Sequence, residues 1–223
     1  MKLLYINELD GSKSIFYYIP NFINKTDAED LYNHLDTMND FQNNYNYNKT
    51  RVIRRQKWFH KNNRYFCEKW KNKYDRWMPY SYTPELSSFQ DMIVERLKEL
   101  ALDKLDIPVP NINSCLVNTY KNGSERIRQH RDTDKAFGPS PTIIGISLGG
   151  TRLIEFKRVL YNGSNNRLSK KDKKTQYMNF KMRLASGSIF IMAGSSQKFW
   201  THGIPADDSV VDRRYSLTMR EQI

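Results

Sequence analysis

The chain has 223 residues, of which 39% are hydrophobic, so it can bury a sizeable core and is not a wholly disordered chain. Its formal net charge is +12 at pH 7, with 36 Lys and Arg against 24 Asp and Glu. This surplus favours a polyanionic partner, because Lys and Arg gain affinity by releasing counterions from phosphates. The alternative is a compositional bias towards Lys and Asn that reflects no binding.

The two cysteines, Cys67 and Cys115, lack paired spacing and therefore indicate neither a disulfide framework nor a zinc site. No apolar run approaches the roughly 20 residues that a membrane-spanning helix needs. Residues 1–13 lack the apolar centre and cleavage site of a secretory signal. We therefore expect a soluble, intracellular protein of the nucleus or cytoplasm with no membrane partner. We also expect a monomer, and we leave a viral source open.

The first predicted elements are a strand over residues 14–19 and a helix over residues 26–39. Thr26 and Glu29 have the spacing of a capping box, in which two side chains satisfy the first backbone amides of a helix. Four apolar residues then recur at helical spacing and form one stripe. They are Ala28, Leu31, Leu35 and Met38.

A second helix is predicted to begin at Pro84, because proline suits the first turn, and to end before Pro108. Its apolar stripe comprises Leu86, Phe89, Ile93, Leu97 and Leu100. From residue 112 the apolar period becomes two, which predicts strands. They cover residues 115–120, 142–148, 153–157, 176–184, 188–192 and 215–219. Many short strands indicate a mainly β protein with flanking helices, in which a sandwich or jelly roll is buttressed by the two helices.

The candidate metal ligands are a His-x-Asp pair, His130 and Asp132, and the remote His202. Two imidazoles and one carboxylate form the ligand set that holds ferrous iron on one face and leaves other positions open. Residues two apart on a strand share a face, so His130 and Asp132 could reach one ion. An isolated His-x-Asp is usually a pair of ordinary polar residues. The chain has only four histidines, and two of them in this pattern favour a metal site.

Arg214 and Arg220 lie six residues apart on a predicted strand, so their side chains project from the same face. A buried guanidinium without an anion is costly. A dicarboxylate that chelates iron at one end would supply that anion. The sequence thus predicts an anionic co-substrate beside the metal.

Five motifs between residues 116 and 220 occur in the order typical of one family. They are Leu116–Tyr120, His130–Asp134, Ser147–Arg152, Trp200–His202 and the Arg214 to Arg220 pair. The chain resembles the AlkB-type family of iron- and 2-oxoglutarate-dependent nucleic-acid dealkylases, and most strongly its eukaryotic DNA-repair branch. A weaker likeness extends upstream to Arg55-Gln56 and to Pro79–Tyr82.

The resemblance implies a double-stranded β-helix (jelly roll) with N-terminal helices packed outside the major sheet. A single domain would cover residues 1–223, with helices and a nucleotide-recognition region in 1–110 and the catalytic core in 111–223. The resemblance also implies Fe(II), with 2-oxoglutarate and O2 as co-substrates. The implied metal ligands are His130, Asp132 and His202.

The implied contacts of 2-oxoglutarate are Asn118, Tyr120, Arg214 and Arg220. Arg214 would pair with the distal carboxylate, and Arg220 would lie near the iron-chelating end. Where the family pattern ends Asn-x-Thr-Phe-Arg, this chain has Ser216-Leu217-Thr218-Met219-Arg220. The arginines are therefore kept while the packing around them changes.

Substrate contacts are implied by the same resemblance. Tyr82 matches the aromatic residue that stacks on a flipped base, opposite the imidazole of His130. Tyr80 and Arg55 lie in matching segments and are further candidates. Asp134 resembles the acidic residue that contacts an exocyclic amino group of that base. Alternatively, Tyr80 and Tyr82 are core residues of an ordinary strand, and Asp134 is a plain loop carboxylate.

Three further segments are candidates for contact with nucleic acid. Val52 and Ile53 match a region that carries an apolar wedge in the DNA-repair branch, although a plain core strand is the favoured interpretation. Aromatic and basic residues alternate over residues 64–76, which suits stacking beside phosphate contact, or equally an amphipathic helix that buries its aromatic residues. A basic loop over residues 161–175 would grip a phosphate backbone, unless it is only solvated surface. Its candidate residues are Lys170, Lys171, Lys173 and Lys174.

The function implied by the resemblance is oxidative demethylation of N-alkylated bases in DNA or RNA, of the 1-methyladenine and 3-methylcytosine type, with release of formaldehyde. One alternative is a protein hydroxylase or demethylase on the same fold, which would need no groove for a polyanion. A second is a non-catalytic protein that binds alkyl lesions.

Overall fold

The computed structural model describes residues 2–8, 10–38, 40–41, 54–71, 77–159 and 179–223. Within these ranges the chain forms twelve strands in two sheets. The strands are β1 (Lys2–Asn7), β2 (Lys13–Ile19), β3 (Arg55–His60), β4 (Pro79–Tyr80), β5 (Ser114–Tyr120), β6 (Ile127–His130), β7 (Ile143–Gly149), β8 (Arg152–Arg158), β9 (Phe180–Leu184), β10 (Ser188–Gly194), β11 (Trp200–Ile204) and β12 (Arg214–Arg220).

The two sheets face each other. The larger sheet has eight strands in the order β1-β2-β10-β7-β12-β5-β3-β4, and the smaller sheet has the order β6-β11-β8-β9. An apolar cluster joins their inner faces, with Phe16 and Phe190 from the larger sheet against Phe156 and Trp200 from the smaller one. This arrangement confirms the predicted jelly roll.

The described α-helices are α1 (Lys25–Thr37), α2 (Pro84–Glu99), α3 (Asp134–Phe137) and α4 (Ser196–Phe199). The first two pack their apolar stripes on the outer face of the larger sheet, as predicted. The second ends at Glu99, however, and not just before Pro108. None of the helices in the described ranges is long and apolar enough to span a membrane.

The N-terminus of α1 differs from the predicted capping box. Asn24, and not Thr26, is the N-cap residue, and its side-chain oxygen accepts a hydrogen bond from the amide of Asp27 at 2.8 Å. Asparagine at this position satisfies one of the amides that the first helical turn leaves without a partner. The prediction of Thr26 as the cap is therefore wrong by two residues.

Side chains of the larger sheet alternate strictly between its two faces, and β12 illustrates the pattern. The odd-numbered residues pack outwards against the helices. They are Tyr215, Leu217 and Met219. The even-numbered residues line the space between the sheets. They are Arg214, Ser216, Thr218 and Arg220. One strand thus supplies both the outer core and a polar inner face.

The predicted strands agree with the structure to within two residues at their ends, except for the one over residues 176–184. There β9 begins at Phe180, and residues 176–178 lie outside the described ranges. The strands β6 and β11 carry candidate metal ligands but were missing from the sequence prediction. Both are short and mixed in polarity, so their alternation is too brief to detect.

Replacing Asn24 with alanine is expected to lower the free energy of unfolding by about 1 kcal/mol, because the amide of Asp27 loses its acceptor. The control is Thr26→Ala, which should change stability by only a few tenths of a kcal/mol because Thr26 is exposed. Urea titrations of the two variants measure this difference. If both variants lost the same free energy of unfolding, Asn24 would not be the residue that caps the helix.

Candidate active site

The three predicted metal ligands meet at one end of the space between the sheets. His130 is the last residue of β6, and it lies directly opposite His202 of β11 in the strand register. The two ring centres are 4.3 Å apart. Asp132 follows in the loop after β6, and its Oδ1 lies 3.8 Å from Nε2 of His130. One ligand atom from each of the three residues lies within 4.8 Å of the others.

Burial prepares both imidazoles to bind a metal, and a hydrogen bond also orients that of His130. Nδ1 of His130 lies 2.9 Å from the carbonyl oxygen of Arg128, and a proton on Nδ1 leaves the Nε2 lone pair free for an ion. Burial also lowers the pKa of His130 below its ordinary value of 6.5. Burial, reinforced by the neighbouring imidazole, lowers the pKa of His202 to about 3. Both rings are therefore neutral at physiological pH, as metal ligands must be.

Asp132 is joined to the larger sheet by a buried ion pair. Its Oδ2 lies 2.7 Å from Nε of Arg220, and the side chains of both residues are at most 5% exposed. The charge of Arg220 keeps the pKa of this carboxyl below its ordinary value despite a large opposing effect of burial. The carboxylate stays ionised, with Oδ2 held by the arginine and Oδ1 directed to the histidines.

Arg214 lies in the same cavity at the other end of β12 and is 1% exposed. Its Nε donates to Oγ of Ser147 at 2.8 Å, and its guanidinium lies 5.2 Å from the ring centre of Tyr120. Burial lowers the pKa of Arg214 to about 10, which still leaves the group charged at neutral pH. Nη1 of Arg214 and Nη1 of Arg220 are buried without a hydrogen-bond acceptor among the described residues.

Asn118 contacts an arginine that sequence reasoning missed. Nε of Arg54, just before β3, donates to Oδ1 of Asn118 at 2.8 Å. Arg55, the predicted residue, is exposed on the outer side and lines a second cavity beside Tyr215. Because Arg55 pairs with Thr119 in the register, its side chain points away from the face that carries Asn118. Only the pairing of β3 with β5 reveals that Arg54, and not Arg55, contacts Asn118.

The cavity between the sheets has a volume of about 550 Å³. All seven predicted metal and co-substrate residues line it. They are Asn118, Tyr120, His130, Asp132, His202, Arg214 and Arg220. One wall is aromatic and consists of Phe66, Trp70 and Trp77, with Phe66 stacked on Trp77 at 4.1 Å and parallel to Trp70 at 5.8 Å between ring centres. We call these three residues the aromatic wall.

Arginines surround the cavity, and its described lining contains only one carboxylate, that of Asp132. Arg126, Arg128 and Arg131 are exposed at the mouth. We call these three residues the arginine rim. The cavity therefore suits a ligand that carries several negative charges.

The structure does not bring the predicted base-contact residues to this cavity. Tyr82 packs against the outer core, where its hydroxyl donates to Oε1 of Gln90 at 2.8 Å and burial raises its pKa. Tyr80 also packs against that core, with Nζ of Lys57 4.5 Å from its ring centre. Asp134 is exposed as the first residue of α3 and does not line the cavity.

Several predicted contacts fall outside the described residues. These are the wedge candidates Val52 and Ile53 and the loop residues Lys170, Lys171, Lys173 and Lys174. The run over residues 64–76 is described up to residue 71 and supplies Phe66 and Trp70 to the aromatic wall.

The donor set fits Fe(II) with 2-oxoglutarate. Two neutral imidazoles and one ionised carboxylate converge on one side of an open cavity, which is the facial arrangement that non-haem ferrous sites use. The buried guanidinium nitrogens of Arg214 and Arg220 have hydrogen bonds left to donate. A dicarboxylate would satisfy those donors, since Arg pairs well with carboxylates.

The chain matches known proteins in sequence. The sequence profile of the 2OG-Fe(II) oxygenase superfamily matches residues 15–220. The chain is 30% identical to the DNA oxidative demethylase ALKBH2 of Arabidopsis thaliana over 62% of this chain and 46% of that protein. It is 29% identical to the alpha-ketoglutarate-dependent dioxygenase alkB homolog 3 of Bos taurus over 49% of this chain and 36% of that protein. The chain thus matches less than half the length of each of these relatives.

Solved structures share the fold. OsALKBH1 superposes with a TM-score of 0.62 at 17% identity and covers 99% of this chain and 100% of its own. A prolyl-4-hydroxylase of Pseudomonas putida superposes with a TM-score of 0.53 at 9% identity, covering 93% and 92% of the two chains. These matches show a shared fold, and the family profile and the sequence relatives confirm the resemblance that the motifs indicated.

The metal-free protein is expected to lose stability as the pH falls from 7 to 5. Because the pKa of His202 is about 3 in the folded state and near 6.5 when unfolded, only the unfolded chain binds this proton in that window. The free energy of unfolding should fall by up to about 1.4 kcal/mol per pH unit for this histidine. Urea titrations at several pH values measure the slope. A His202→Gln variant should show a shallower slope, and an unchanged slope would contradict the assignment.

Proposed function

The chain belongs to the 2OG-Fe(II) oxygenase superfamily, and we propose that it oxidatively demethylates N-alkylated bases in nucleic acid with release of formaldehyde. The supporting observation is one cavity that combines a ferrous ligand set, two buried arginines for a dicarboxylate and a cationic mouth. The Arabidopsis thaliana relative, which is named as a DNA oxidative demethylase, supports the same substrate class. The proposal includes one catalytic domain over residues 1–223 that acts as a monomer.

Each group in the cavity has a distinct role in this proposal. When bound, iron, 2-oxoglutarate and O2 supply the oxidant that hydroxylates the methyl carbon, after which the hemiaminal releases formaldehyde. His130, Asp132 and His202 hold the metal, and Arg220 keeps the carboxylate ionised and directed. Arg214 binds the distal carboxylate of 2-oxoglutarate, a group that its buried Nη1 is free to receive.

We assign base stacking to the aromatic wall together with the imidazole of His130. A base must leave the duplex stack, or arrive single-stranded, before its methyl group can reach a metal site. Phe66, Trp70 and Trp77 line the same cavity as the metal ligands. Tyr82 lies in the outer core and is therefore a weaker candidate for this role than the sequence resemblance implies.

Phosphate contact in this proposal comes from the arginine rim. Its three arginines are exposed and line the cavity, so they could contact the backbone on either side of a flipped nucleotide. The loop lysines Lys170, Lys171, Lys173 and Lys174 remain further candidates for the same role. A peptide substrate would need no such cationic rim.

The direct test uses matched DNA and RNA oligonucleotides that carry 1-methyladenine or 3-methylcytosine, incubated with the protein, ferrous iron and 2-oxoglutarate. We expect the base in at least one oligonucleotide to lose the mass of CH2, because hydrogen replaces the methyl group, and formaldehyde to appear in equal amount. His130→Ala, which removes a metal ligand, should abolish both. If 2-oxoglutarate is consumed with no change of base, the substrate belongs to another class, such as protein. If no 2-oxoglutarate is consumed, the chain is a non-catalytic protein that binds alkyl lesions.

Replacing Arg126 and Arg128 together with alanine is expected to weaken oligonucleotide binding and to reduce its salt dependence. Each lost phosphate contact should reduce the slope of log affinity against log salt by roughly 0.7 to 0.9. Fluorescence anisotropy at several salt concentrations measures this slope. The control is Lys25→Ala with Lys98→Ala, which removes two exposed cations from the helical side. Equal slopes for both double variants would place the phosphate contacts elsewhere.

A further inference from the structure

The loop that carries Asp132 lacks the support that the two histidines have. His130 and His202 face each other in the ladder between β6 and β11, so backbone hydrogen bonds fix their separation. β6 ends at His130, and Asp132 lies two residues beyond that end. Another contact must therefore hold the backbone of Asp132 in place.

A buried glutamine supplies that contact. Oε1 of Gln197, in α4, accepts a hydrogen bond from the backbone amide of Asp132 at 2.9 Å. Gln197 is 7% exposed, and its Nε2 lies 3.4 Å from Sδ of Met192 in β10. A backbone amide can only donate, so the oxygen of the Gln197 amide group must face the loop. The glutamine thus bridges the loop and the larger sheet.

Two more hydrogen bonds link the same two segments of chain. Nη1 of Arg131 donates to the carbonyl oxygen of Lys198 at 3.0 Å. Oγ1 of Thr201 donates to Oε1 of Gln129 at 2.9 Å. The segment from α4 into β11 therefore carries one ligand, His202, and braces the segment that carries the other two.

We propose that Gln197 is a positioning residue for the metal site, and this inference rests on the ferrous centre of the proposed function. By fixing the amide of Asp132, it sets the direction in which the carboxylate leaves the loop. Arg220 holds Oδ2 from the opposite sheet, so the backbone and the carboxylate are fixed from two sides. Groups that orient ligands in this way typically alter metal affinity when they are lost.

The test compares Gln197→Met with wild type by titrating the full chain with Mn²⁺ alone. Methionine keeps the length of the side chain but removes the amide oxygen. We expect Mn²⁺ to bind about tenfold more weakly, because the loop can then adopt other conformations. Unchanged affinity would overturn the proposal.

The matched control is Gln90→Met. Gln90 is also buried and makes two hydrogen bonds, with the hydroxyl of Tyr82 and the carbonyl oxygen of Ile112, on the outer side of the larger sheet. This variant should lose thermal stability but keep the Mn²⁺ affinity of wild type. Equal loss of affinity in both variants would mean that Gln197 acts only through general stability.

Two further measurements do not depend on how well Gln197→Met folds. Gln197→Glu retains an oxygen acceptor and is expected to recover most of the Mn²⁺ affinity. In the metal-free wild type, the amide hydrogen of Asp132 should exchange slowly with solvent, because it is bonded to a buried acceptor. Rapid exchange of that hydrogen would contradict the proposed contact.

His130→Ala separates failure of this inference from failure of the proposed function. If Mn²⁺ affinity falls in His130→Ala but not in Gln197→Met, the metal site stands and the positioning role is wrong. If neither variant changes the affinity, the ion binds elsewhere, and both the proposed site and the positioning role are wrong.

Discussion

Alternation of side chains across the larger sheet is the constraint on which the site depends. Successive residues of a strand point to opposite faces, so each strand must serve two environments. In β12 this rule sends Arg214 and Arg220 into the cavity and Leu217 into the helix-covered core. In β5 it sends Asn118 and Tyr120 inwards in the same way. If the pairing of β12 shifted by one residue, its apolar side chains would point into the cavity and its arginines would face the helices.

The charge balance of the cavity follows from that arrangement. Burying a guanidinium is costly unless an anion accompanies it, yet Asp132 is the one carboxylate in the described lining. It is paired with Arg220, which leaves Arg214 with only neutral partners in Ser147, Ser216 and the ring of Tyr120. The fold thus keeps a buried positive charge for which the proposed dicarboxylate is the matching ligand. Such a site is preorganised, since the donors need not move when the ligand arrives.

Part of this arrangement was predictable from sequence, because it depends on spacing within single elements. The arginine pair lies on one strand, β12. The His-x-Asp pair spans the end of β6 and the loop after it, so the motif, and not a shared strand face, identified these two ligands. The helices followed from apolar stripes such as that of Leu31 and Leu35, which the outer core confirms.

The remainder depends on pairing between elements, which one sequence does not reveal. Arg54 and Arg55 are adjacent, and only the register of β3 against β5 decides which one reaches Asn118. Tyr82 matched a motif but lies on the outer side of the sheet beside Gln90. Gln197 gave no signal in the sequence, because its role arises from a contact with a loop 65 residues away.

A crystal structure of the protein with Mn²⁺, 2-oxoglutarate and an oligonucleotide that contains 1-methyladenine would test the proposed site most directly. We expect the ion on His130, Asp132 and His202, with the methyl carbon facing it. We also expect the base in the cavity against the aromatic wall and phosphates on the arginine rim. A base bound on the outer side near Tyr82, or an ion bound away from this triad, would contradict the proposed site.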